Sequence, residues 1–154
     1  MVRRSEKWPR SIVLDDGVRN DFVFLSVEDV VAIHDELLKR YGGSATPGHR
    51  GELDGVTAAV HAVENSYYDD VFEVAAAYAV YIVLGHVFGD GNKRTGSASA
   101  LVFLDVNDIK LRFRSSTLLS RMLELQKRSE TSPTPPASDL VAWFADWLRS
   151  AHQR

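Results

Sequence analysis

A chain of 154 residues, 45% hydrophobic and 25% charged, has the size of one domain with a sizeable core. Its net charge of −3 speaks against broad electrostatic capture of nucleic acid, and the lack of cysteine excludes disulfides and thiolate-held metals. No signal peptide is expected from the charged MVRRSEKWPRS, and the longest apolar stretch, Val74 to Leu84, is too short for a bilayer, so a cytoplasmic protein with no membrane partner is expected.

Residues 1–24 read as an N-terminal extension. In it IVL and FVF flank DDGVRND, whose Asp-Gly step predicts a small hairpin. LSVEDVVAIHDELLKRYGG predicts a helix. Ser26 is its N-cap, Asp29 the partner in a capping box, and Val27, Val30, Val31, His34, Leu37 and Leu38 form one stripe before Gly42 and Gly43 end it. SATPGHRGELDG is a loop by composition. A helix is expected from about Leu53 to Asn65, with Val56, Val60 and Val63 on one face.

DDVFEVAAAYAVYIVLGH opens with two aspartates, which suit a helix N-terminus, and is apolar almost all round, as a central buried helix would be. TGSASALVFLDV predicts another apolar helix, ended by Asn107-Asp108, and IKLRF alternates like a short strand. A helix from about Ser116 to Arg128 would use Leu118, Leu119, Met122, Leu123 and Leu125. The Pro-rich break 131–137 precedes a last helix in 138–154, capped by Ser138, with Leu140, Val141, Phe144, Trp147 and Leu148 as its stripe. The fold class is mostly α, with a main helical domain over 25–130 on which the last helix packs.

Between the two most apolar helices lies GHVFGDGNKRTG, Gly85 to Gly96. It holds one histidine, one carboxylate, one amide, two cations and four glycines in twelve residues. A helix restarting near Asn92 would aim its unpaired N–H groups into a Gly-rich loop, where anions bind. Gly89 and Gly91 allow close backbone approach, and Lys93 and Arg94 add cations. Asp90, alone among phosphate-binding groups, suits Mg2+, which takes one or two carboxylates together with phosphate oxygens. His86 could accept a hydroxyl proton. Base, metal carboxylate and anion cradle together describe transfer of a phosphorus group from a nucleotide to a hydroxyl. Each residue also has a plainer reading: a histidine capping helix carbonyls, a Gly-Asp-Gly turn, a solvated Lys-Arg pair. Phe88 is read as an anchor that packs the loop on the core. Among the other histidines, His34 reads as packed or half-exposed, and His61 and His152 have no partner at metal-ligand spacing.

HVFGDGNKRTG resembles the Fic/Doc superfamily signature, and specifically its Doc branch. The usual Fic pattern is H-P-F-x-[DE]-G-N-G-R-x-x-R. This chain keeps His86, Phe88, Asp90, Gly91, Asn92 and Arg94 but has Val87, Lys93 and Ser97 where that pattern has proline, glycine and arginine. The Doc pattern, H-x-F-x-[DN]-[AG]-N-K-R-T, is satisfied throughout, and the resemblance covers roughly Leu25 to Phe113.

It implies a Fic/Doc helical bundle and, with Lys93 and Ser97, a protein kinase toxin that transfers the γ-phosphoryl group of ATP rather than AMP. By that resemblance His86 is the general base and Asp90 holds Mg2+. Asn92, Lys93 and Arg94, with the backbone of Gly89 and Gly91, hold phosphates. His49 and Arg50 lie on a flap that aligns the target, elongation factor Tu being the family's known one, and an antitoxin restrains the enzyme. The alternatives are an AMP-transferring Fic enzyme and a degenerate Fic fold kept for binding a partner. Many Fic enzymes carry an inhibitory [ST]-x-x-x-E-[GN] helix; the nearest match, VHAVEN, has Val60 where the hydroxyl residue belongs.

Overall fold

A computed structural model of the chain describes residues 22–42, 50–85, 87–88 and 91–152, with the backbone alone for 50–52. Among these residues there are six helices and no strand: α1 (Val27–Tyr41), α2 (Arg50–Glu64), α3 (Val71–Leu84), α4 (Asn92–Val106), α5 (Ser115–Ser129) and α6 (Ala137–His152). The IVL arm and the turn of the expected hairpin, like the flap residue His49, lie outside the described residues, and the hairpin's FVF arm, Phe22 to Phe24, is not a strand. Arg50, expected in the flap loop, instead opens α2.

α3 is the axis. It packs on α2, α4, α5 and α6, while α1 packs on α2 and α4. Ten of its residues between Phe72 and Val83 are buried, which is what an all-round apolar helix requires. Four of them, Ala75, Ala76, Ala77 and Ala79, are small enough to let neighbouring helices come close. The closest approach is to α4 at Gly96, where a Cβ would sit 3.1 Å from the Ala79 carbonyl oxygen and 3.5 Å from Met122.

Local chemistry sets most helix ends. Ser26 caps α1 by accepting from the Asp29 amide at 3.1 Å, and the Asp29 carboxylate accepts from the Ser26 amide at 2.8 Å, the reciprocal box the sequence predicts. α4 stops at Asn107, followed by Asp108 at φ 69°. The Asn107 carboxamide holds the incoming chain from both ends: its Oδ1 accepts from Val23 N at 2.9 Å, and its Nδ2 donates to Val23 O at 3.0 Å. Phe22, Phe24 and Tyr78 gather round Phe103, and the Tyr78 hydroxyl accepts from Leu25 N at 2.9 Å.

Three expectations change. α6 begins one residue before Ser138, with the Pro136 carbonyl accepting from the Asp139 and Leu140 amides, so Ser138 is no cap. Leu119 and Leu123 are exposed at 49% and 44%; only Met122 and Leu125 of α5 are fully buried, because α5 lies at the side of the bundle and buries a narrow stripe. Ile109 to Phe113 is not a strand; no partner strand exists among the described residues, and its backbone ties are Ile109 N to Leu104 O and Arg112 N to Ala151 O. The Leu140, Val141, Phe144 and Leu148 stripe of α6 is buried as expected.

Asp70 joins the start of α3 to the end of α6. Its Oδ1 caps α3 by accepting from Phe72 N at 3.2 Å, while its Oδ2 pairs with Arg149, which also binds Asp146 at 2.8 Å. Asp70→Ala is expected to lower unfolding free energy in urea by about 1–2 kcal/mol, most of it the lost cap. Asp70→Asn keeps the cap and should cost less than half as much; equal losses would mean the Arg149 pair, not the cap, carries the effect.

Candidate functional site

The site forms where α3 gives way to α4. Gly85 ends α3, its amide donating to Tyr81 O at 3.0 Å, and Val87 and Phe88 turn inward, each 5% exposed. Phe88 is thus the anchor the sequence predicts. His86, Gly89 and Asp90, expected to supply the base, a phosphate-binding amide and the metal carboxylate, lie outside the described residues. α4 then begins on Gly91, whose φ of 84° is a left-handed conformation that glycine adopts without strain.

The first turn of α4 is built against its own helix. Gly91 offers no side-chain cap, the turn holds no acidic residue, and Lys93 and Arg94 put two cations beside the positive end of the dipole. Each such charge is unfavourable by ~0.3–1 kcal/mol at a surface site, the reverse of the usual placement. An anion at the uncapped amides would reverse that sign, since it would meet amides, dipole and both cations together.

The Asn92 side chain, expected to hold phosphate, is bonded to the Phe88 backbone. Its Oδ1 accepts from Phe88 N at 2.9 Å, and its Nδ2 donates to Phe88 O at 2.8 Å. The carboxamide thereby closes the loop across four residues and fixes how Phe88 leads into α4.

A family model described as Fic/DOC family matches residues 24–104, more than half of the chain. The chain belongs to the Fic/DOC family. It is 39% identical over 88 residues to a protein named Protein kinase doc from Escherichia phage P1, a match that covers 56% of this chain and 70% of the phage protein. That likeness assigns it to the Doc branch of Fic/DOC proteins.

In this Fic/DOC chain the two motif cations differ in setting. Lys93 is half-buried, whereas Arg94 is exposed, its guanidinium 4.5 Å from the ring centre of Tyr41 at the end of α1. Ser97, at the place of the arginine in the general Fic pattern, is buried, and its hydroxyl donates to the Arg94 carbonyl at 3.0 Å. Val60, at the hydroxyl position of the inhibitory pattern, is 3% exposed and belongs to the core. The Thr95 hydroxyl is fully buried and has no protein hydrogen-bond partner.

Two site neighbours escape sequence reasoning. His34 lies face to face with Phe88, ring centres 3.7 Å apart and planes 6° from parallel, and Tyr41 carries Arg94. The heptad spacing of His34 and Tyr41 puts both on one face of α1, but no local signal says that this face meets the motif. His61 and His152 are exposed, and His152 Nδ1 lies 3.1 Å from the Lys110 carbonyl. Among the described residues no three His, Cys, Asp or Glu side chains gather as a metal site, and no helix is long and apolar enough to cross a membrane.

Proposed function

We propose that the chain is a Doc-type protein kinase toxin, which transfers the γ-phosphoryl group of ATP to a threonine or serine hydroxyl of a translation factor, elongation factor Tu being the first target to test. One observation carries this reading: the first turn of α4 has no side-chain cap from Gly91, no acidic residue and both Lys93 and Arg94, an arrangement that favours a phosphate-rich ligand. The 39% identity to a relative named as a protein kinase supports the reaction class.

Under this reading the backbone of Gly89 and Gly91, with Lys93 and Arg94, holds the phosphates; Asn92 keeps the loop shut; and His86 takes the proton of the attacking hydroxyl. Asp90 is the single carboxylate of the motif, and one carboxylate with phosphate oxygens and water is a sufficient donor set for Mg2+, which would offset phosphate charge. Ser97 argues against AMP transfer, because a buried hydroxyl bound to its own helix cannot replace the arginine that the general Fic pattern has there.

Restraint would come from an antitoxin. A groove of about 500 Å3 runs along α1, with Ile33, Leu37, Tyr41 and Ala98 of α4 on its apolar side and Asp35 and Arg40 at its rim. This lining fits a short amphipathic helix folded from a disordered segment.

The test uses the purified chain with Mg2+, a cell extract, and ATP labelled at either the γ or the α phosphate. Label is expected on a protein only from the γ position. Label from the α position would move the chain to the AMP-transferring branch.

A further inference from the structure

We propose that α1 positions the phosphate loop through two rings on one of its faces, His34 setting the loop and Tyr41 setting Arg94; this rests on the motif being the nucleotide site. His34 is 6% exposed and covers the loop on both sides of positions 89 and 90. Its flat face lies on Phe88 at 3.7 Å, and its Cδ2 and Nε2 stand 3.5 and 3.6 Å from where a Gly91 Cβ would be. The loop is therefore braced from within by the Asn92 carboxamide and from outside by this imidazole.

Seven residues on, two helical turns or roughly 10 Å along the same face, Tyr41 lies under the Arg94 guanidinium. One helix face thus meets the motif at the entrance of the loop and at the first turn of α4. The contact is direct: α1 and α4 pack on one another, and no other helix stands between them at these residues.

A histidine that only fills core volume could be replaced by any bulky apolar residue. A positioning ring could not, because a near-parallel stack 3.7 Å deep admits only a flat side chain between α1 and Phe88. The chemistry of the two sites also differs. His34 stacks on the loop's anchor and stands close beside Gly91, so its loss should loosen the amides that would receive phosphate. Tyr41 meets the motif at the Arg94 guanidinium, so its loss should leave the loop in place and free the cation.

The experiment compares the full wild-type chain with His34→Phe, His34→Leu and Tyr41→Leu. Amide exchange is followed over residues 87–95 and over α3 and α6, and KM for ATP and kcat are measured for γ-phosphoryl transfer. His34→Leu is expected to speed exchange over 87–95 while α3 and α6 stay protected, and to raise KM for ATP by about two- to tenfold, the equivalent of one lost ring stack, with a smaller change in kcat. His34→Phe should restore both. Tyr41→Leu should raise KM with loop exchange unchanged.

Leucine serving as well as phenylalanine at position 34 would overturn the proposal and leave His34 as filler. If the leucine variant does not fold, His34→Met takes its place as the bulky side chain without a ring: a loop looser than in His34→Phe upholds the proposal, equal exchange in the two ends it. A wild-type chain that moves no γ-phosphoryl defeats the kinase reading instead, and the exchange pattern of the variants still judges the role of α1.

Discussion

His86→Ala is expected to lower γ-phosphoryl transfer by about 10²–10⁴-fold, the usual worth of a general base, without shifting thermal unfolding. A threonine or serine hydroxyl is a poor nucleophile until its proton has somewhere to go. Imidazole is the side chain best suited to receive it near neutral pH. His86 directly follows Gly85, the C-cap of α3, and lies two residues before Phe88. In the sequence it therefore adjoins the best-buried helix and the loop's anchor.

Stability should be spared, because the contacts that fix this stretch belong to its neighbours: Val87 and Phe88 in the core and Asn92 across the loop. The measurement pairs a melt with a single-turnover transfer assay. A folded His86→Ala chain that transfers at a near wild-type rate would remove His86 from the reaction.

Phe103→Ala should give the largest loss of stability, about 3–5 kcal/mol by urea unfolding, the range for truncating a buried aromatic ring. Phe103 is fully buried in α4 and has Phe22, Phe24 and Tyr78 around it, with ring centres 6.0, 6.0 and 5.4 Å away. These rings come from two separated parts of the chain, so the cavity cannot be closed by one side chain moving. The loss should also release the segment before α1, since Tyr78 accepts from Leu25 N and Asn107, four residues beyond Phe103, holds Val23. A domain of this size has roughly 5–15 kcal/mol in all, so the variant would sit near its unfolding threshold. Phe103→Leu refills most of the volume and should lose much less. A change below about 1 kcal/mol for the alanine variant would be outside the range for a ring this well enclosed.

Features governed by neighbours in sequence were readable in advance. The Ser26–Asp29 box needs only a spacing of three, and the apolar circumference of α3 announces burial whatever surrounds it. The Val56, Val60 and Val63 face of α2 is buried as its spacing implies. Phe88 as an anchor followed from a large ring inside a Gly-rich loop.

Features that depend on which helices meet were not readable. The Leu118 to Leu125 pattern looks like a wide core face, but α5 lies at the side of the bundle and leaves Leu119 and Leu123 exposed. Alternation in IKLRF suggests a strand, yet a strand exists only if another pairs with it. The bonds of Asn92 to the Phe88 backbone could not be foreseen from their spacing of four alone. His34 was readable as packed, but not as packed on the motif, since α1 and the loop lie some fifty residues apart in the chain.

Gly96 ends the motif as it is written in sequence, but its surroundings belong to another part of the molecule. It faces Ala79 and Met122 at the crossing of α3 and α4 and answers to interhelical spacing. The string from His86 to Gly96 therefore records two histories laid end to end. Under the kinase reading, His86 and Asp90 in its front part would answer to the reaction. Its last residue is kept by architecture and would persist in a descendant with no activity at all. In comparing relatives, a glycine at this position testifies to the shape of the bundle, and Lys93 and Asp90 are the letters to consult about the reaction.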